Sequence, residues 1–166
     1  EHLLQIWPDV IKEVPDAQLH IFYGWKLFKY FYRDNPERMA WVRKIEGMMK
    51  YKGITHHDRV SQVEMERWYK KCGIFAYPSH FYEINCISAI KAQLWGCIPV
   101  TTLIGALRET VRFGYTVDGD IWEKEIKEKY KQYLIEALKS KRPIDKKGMM
   151  EWVKEKYSWE QIAKDF

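Results

Sequence analysis

Glu83 stands at a junction that the sequence marks on both sides. The apolar run Ile74–Tyr77 stops at Pro78-Ser79, and a helical pattern opens near Asn85. The first N–H groups of a helix have no partner inside it, and the positive end of the helix dipole lies behind them. Amides at Asn85, Cys86 and Ile87 would therefore suit an anion such as a diphosphate. Glu83, with Ile84 beside it and just ahead of those amides, is placed to accept hydrogen bonds from hydroxyls, or else to cap the helix. The chemistry is a phosphate held by backbone and a polyol held by a carboxylate, and a nucleotide-sugar carries both parts. His80 shares the loop. Lys91 adds a positive charge on the helix. Thr101 and Thr102 close the next strand, where hydroxyls meet phosphate or cap a turn.

Those residues need strands to end beside them and helices to begin there. Leu3, Leu4, Trp7, Val10, Ile11 and Val14 repeat at helical spacing, with Pro8 expected to kink the pattern. A strand is expected over Gln18–Tyr23, stopped by Gly24. Asn35-Pro36 reads as a cap and first position of a helix with Trp41, Val42, Ile45, Met48 and Met49 inward. Then follow a strand over Gly53–His57, a helix over Val63–Lys71, the strand Ile74–Tyr77, and a helix from about Asn85 to Trp95 stopped by Gly96. A strand over Ile98–Thr101, a short helix through Arg112 and a last strand near Tyr115 come next, with helices from Asp120 onward. The tryptophans at 7, 41, 68, 122, 152 and 159 sit at helical spacing and are assigned to the core.

Short apolar strands alternating with helices imply an α/β fold, a Rossmann-like, doubly wound parallel sheet with helices on both faces and a C-terminal helical extension. Ligands of such sheets bind outside the carboxyl ends of the strands. That selects the loops at Gly24-Trp25-Lys26, His57-Asp58-Arg59, Pro78–Asn85 and Thr101–Gly105.

The 166 residues carry a net charge of +5, spread along the chain rather than gathered in one stretch. A nucleic-acid partner is not expected, because such proteins concentrate Lys and Arg on one face. Basic charge interleaved with aromatics does suit an anionic membrane surface. Cys72, Cys86 and Cys97 form no CxxC pair, and the five histidines show no ligand spacing. The expectation is a reducing, cytoplasmic compartment and no protein-built metal site.

The stretch Tyr77–Val111 resembles the donor-binding half of family 4 glycosyltransferases of the GT-B fold. Its marks are Pro78-Ser79, Glu83, Ala92, Gly96-Cys97-Ile98-Pro99-Val100, and Gly105 followed by Glu109. Weaker agreement extends over nearly the whole chain. The resemblance implies a retaining transferase that moves a sugar from a nucleotide diphosphate to an acceptor. It implies that Glu83 orients the sugar, that Gly24 and Trp25 lie on a loop facing the donor, and that Asp58, Arg59 and Val60 meet the base edge largely through main chain. Two positions depart from the pattern. Lys91 replaces a carboxylate that in the family holds the ribose, and Ile84-Asn85-Cys86 replaces Gly-x-Gly. Lys91 then meets a ribose or phosphate oxygen, marks a lost site, or is a structural lysine.

By the same resemblance, residues 1–119 are a donor-binding domain without its first strand, and residues 120–166 are helices packing on it. The acceptor-binding N-terminal domain precedes this segment, so the fragment alone is expected to be inactive. The partner is the nucleotide-sugar, with no resident cofactor, and the full enzyme is open to peripheral membrane association. A non-catalytic nucleotide- or sugar-binding module and a sugar-nucleotide epimerase are the alternatives.

Overall fold

Parallel strands do alternate with helices along the chain. The computed structural model describes residues 1–164; the side chain of Trp159 lies outside the described residues. Two units form, Glu1–Gln62 and Val63–Phe166.

In the first unit, α1 (His2–Glu13) continues through Pro8 and buries Leu4, Trp7, Val10 and Ile11. Strands β1 (Leu19–Ile21) and β2 (Ile54–His56) pair in parallel, Leu19 opposite Ile54. Between them lie α2 (Lys26–Phe31) and α3 (Pro36–Met48). The Asn35 side chain accepts the Arg38 N–H at 2.9 Å, so the expected cap forms. Leu4, Trp25, Val42, Ile45 and Met49 make the core, with Leu19, Phe28 and Ile54 packed against it. Helix α2 is not foreseen by periodicity, because apolar and basic residues fill every side of "KLFKYF" and leave no neutral polar face. Trp41 is exposed rather than core, its indole N–H reaching the Glu1 carboxylate at 2.9 Å while its ring meets those of Trp25 and Phe28.

The ring nitrogens of His20 and His57 lie 2.9 Å apart, and Phe22 stacks on His57. Burial, and next the neighbouring His57, hold His20 below the ordinary imidazole value. The folded chain thus resists a proton that the unfolded chain takes up near pH 6.5, about the model-peptide value. Stability is full above that pH and falls as pH drops through the depressed value. Thermal melts between pH 8 and 5 are expected to show this loss, about those limits, and His20→Gln to flatten it.

In the second unit, α4 (Gln62–Lys71, its first residue at the division) leads to β3 (Ile74–Tyr77). Then come α5 (Ile87–Leu94), β4 (Ile98–Thr102), α6 (Leu107–Thr110) and β5 (Tyr115–Val117). The sheet order is β3-β4-β5, all parallel, with Tyr77 opposite Thr101 and Thr102 opposite Val117. Helix α7 (Lys124–Leu138) packs along all three strands, and the buried Tyr130 hydroxyl donates to the Val100 carbonyl at 3.0 Å. Helices α8 (Lys146–Tyr157) and α9 (Trp159–Lys164) follow, α8 against α5. Gly96 takes a φ of +81° just past α5, the left-handed stop that glycine permits. Trp122 is a correction: α7 begins only at Lys124, so this ring lies off the helical stripe and is 56% exposed.

The Cys97 thiol lies 3.0 Å from the Tyr69 carbonyl and 3.1 Å from that of Cys72. Burial pushes it up to about 12.

Candidate functional site

The loop between β3 and α5 is pinned at several points. The Phe81 N–H donates to the Ser79 hydroxyl at 3.1 Å, and the Glu83 N–H to the Phe81 carbonyl at 3.0 Å. From the end of β4, the Thr102 hydroxyl donates to the Ser79 carbonyl at 2.6 Å. From the start of α6, the Ala106 N–H donates to the Glu83 carbonyl at 2.8 Å. Gly105 has φ +54°, and a Cβ placed on it would stand 2.7 Å from the Glu83 carbonyl oxygen. Only glycine lets these two backbones approach so closely.

The Glu83 side chain is half-buried and accepts a hydrogen bond from the Tyr77 hydroxyl. Burial first, and then this carboxylate, hold the Tyr77 phenol well above its ordinary value. The cap of α5 is Cys86, with no side-chain cap bond, so Glu83 is not used to cap the helix. The Ile87 N–H turns back on the Asn85 carbonyl at 3.2 Å, and those of Ala89 and Ile90 on the Cys86 carbonyl. Among the described residues, the Asn85 and Cys86 amides find no carbonyl partner. Cys86 itself is 3% exposed, and burial raises its thiol despite the helix end beside it. Burial wins there, which leaves an inert thiol.

Lys91 is exposed on α5, one turn beyond the exposed Ile87. Helical side chains lean toward their N-terminus, so the lysine stem runs in the direction of the Asn85–Ile87 end. His80 is exposed, its ring edge-on to Trp122 at 5.7 Å. Thr101 is fully buried, and among the described residues its hydroxyl has no partner.

A second group gathers in the first unit. A Cβ on Gly24 would stand 3.1 Å from both the Arg59 Cβ and the Asp58 carboxylate, so the loops after β1 and β2 touch. Asp58 takes a left-handed φ of +57°, and the His56 ring meets the Tyr23 carbonyl at 2.7 Å. Trp25 is 7% exposed and belongs to the core of its unit, while Val60 is half-buried.

The family model described as Glycosyl transferases group 1 matches residues 1–140, spanning both loop groups and all five strands among the described residues. The chain belongs to the group 1 glycosyl transferases. Comparison with curated proteins gives no match. Glycosyl transfer is therefore the chemistry of this family domain. Among the described residues of this group 1 chain, no cluster of three His, Cys, Asp or Glu side chains is arranged to hold a metal ion. None of its described helices is long and apolar enough to cross a membrane.

Sequence reasoning missed two contacts of the Glu83 environment. Tyr77 reads as the last apolar residue of a strand, and only its position six residues ahead of Glu83 hints at a partner. Gly105 belongs to the quoted pattern, yet its packing beneath Glu83 is a tertiary contact that no local spacing contains.

Proposed function

We infer that the chain is the donor-binding part of a retaining glycosyltransferase that moves a sugar from a nucleotide diphosphate to an acceptor. The observation that carries this reading is the Glu83 loop, fixed by Tyr77, Ala106 and Gly105 directly ahead of the α5 amides. In this reading Glu83 orients the sugar through its hydroxyls. The Asn85 and Cys86 amides steady the diphosphate, and Lys91 meets a ribose or phosphate oxygen. Gly24 and the Asp58–Val60 turn face the base. Charge stabilisation of the leaving diphosphate is then the main catalytic contribution, in a front-face reaction with no resident cofactor. Tyr77 acts as a positioning residue, because its hydroxyl holds one Glu83 oxygen and leaves the other for substrate.

In this reading an acceptor-binding domain completes the enzyme. The segment alone is then inactive. Three free cysteines suit a cytoplasmic setting.

Calorimetric titration with UDP, GDP, ADP and their sugar conjugates tests the reading. Saturable binding of one nucleotide is expected, weakened at least tenfold in Glu83→Ala, about 1.4 kcal/mol or more, and retuned between nucleotides in Lys91→Glu. Binding indifferent to both changes would remove this loop from the site. The Lys91 departure favours a second reading, a non-catalytic binding module, for which the longer protein would bind nucleotide-sugar without turning it over.

A further inference from the structure

We propose that α2 and its flanks form a docking surface for anionic phospholipid. The helix contributes no buried residue to the core. Three stripes divide it. Trp25 and Phe28 face inward, packing with the Val42 and Ile45 cluster. Leu27, Tyr30 and Phe31, three and four residues apart on one face, point outward at 60%, 62% and 72% exposure. Lys26 and Lys29 form the third stripe, which Arg33 extends just beyond the helix.

From Tyr23 to Arg33 there are three basic residues and no acidic one. The Arg33 guanidinium sits 5.3 Å from the Tyr30 ring, and that of Arg38 sits 5.3 Å from the Tyr32 ring, so cations are interleaved with the exposed aromatics. The ion pairs Lys29–Glu46 and Arg33–Asp34 are solvent-exposed, at 2.6 and 3.3 Å. Pairs of that kind hold little energy and exchange readily for lipid phosphate. Apolar side chains beside a basic stripe are what an interfacial segment needs: the rings enter the acyl boundary while the cations meet headgroups.

Area decides between lipid and a second copy of the chain. With aromatics of roughly 150–250 Å² each, the outward residues and half-exposed Tyr32 offer on the order of 400 Å². That is more than scattered surface residues present. It is about half of the roughly 800 Å² per partner that a stable protein interface uses.

Flotation of the chain with vesicles tests the proposal, using phosphatidylcholine alone or mixed with phosphatidylglycerol. Capture by the mixed vesicles only is expected, weakening as salt rises from about 0.1 M to about 1 M and the Debye length shrinks from ~10 to ~3 Å. Leu27→Ser with Phe31→Ser is expected to reduce capture at least tenfold without moving the melting transition, since both side chains are exposed. Lys26→Glu is expected to lower it severalfold. Equal capture by neutral vesicles, no capture, or capture untouched by the double change would overturn the proposal. So would a concentration-dependent dimer that the double change dissolves. None of these outcomes depends on the Glu83 reading: Leu27 and Phe31 lie outside the residues assigned to the donor, and nucleotide binding is measured separately by calorimetry.

Discussion

Replacing Gly105 by Ala is expected to abolish nucleotide-sugar binding and to cost the chain about 2–4 kcal/mol of stability. Two effects add. The residue sits at φ +54°, where a Cβ costs about 1–2 kcal/mol against the following carbonyl. That Cβ would also press on backbone: the Glu83 carbonyl at 2.7 Å and the Glu83 nitrogen at 2.9 Å. Backbone atoms cannot swing aside as a lysine tip can. Either the loop carrying Glu83 moves or α6 does, and the Ala106 N–H bond to Glu83 breaks with it. Urea melts give the stability part, and calorimetry at a temperature where the variant is still folded gives the binding part. A folded Gly105→Ala protein that binds nucleotide as tightly as the parent would show that the Glu83 loop need not be held in this place.

Gly114→Ala should be the most damaging single methyl in the sheet. Gly114 enters β5 at φ +98°, and its added Cβ would overlap the Pro99 carbonyl and lie 2.9 Å from the Pro99 ring. Pro99 is buried in β4, the central strand, and its ring has no rotamer in which to escape. Relief requires β5 to part from β4 at its start. The register Val100–Tyr115 is the first to be lost, beside the fully buried Val117 and the Tyr130 bond to Val100. A loss of about 3–5 kcal/mol is expected, a large share of the roughly 5–15 kcal/mol that holds an ordinary domain. The denaturation midpoint should fall accordingly. Amide exchange at Val100 and Thr102 should quicken more than at Val10 in the first unit. Equal quickening everywhere would mean that the contact is not local.

Much of the scaffold was legible because its signals are local. Pro78 stops β3 after Tyr77, and Asn35 with Pro36 starts α3, each by chemistry carried within a few residues. Apolar runs four or five residues long between turn residues were enough to place β3 and β4. Helix α2 was not legible, because its stability comes from Trp25 and Phe28 lodging in a core assembled from α1 and α3. Trp122 misled for a related reason: its spacing from Ile126 continues a helical stripe, but the helix has not yet begun there. Within the site, the place of Glu83 between strand and helix followed from the sequence alone. Its hydrogen bond to Tyr77, the bond from Thr102 to Ser79 and the support from Gly105 did not, since each joins segments brought together only when the chain folds.

The Cys97 thiol gives the second unit a clock. At neutral pH, with its acidity displaced to about 12, the thiol stays protonated while the protein is folded. A maleimide or an oxidant in the surrounding solution meets 1% of the residue's surface and almost no nucleophile. Once the end of α4 lifts from Ala92 and Cys97, the two carbonyls let go and the sulfur returns to an ordinary reactive thiol. With label concentrated enough to outpace reclosing, the speed at which Cys97 is modified reports how often that packing opens, with no reporter to be engineered.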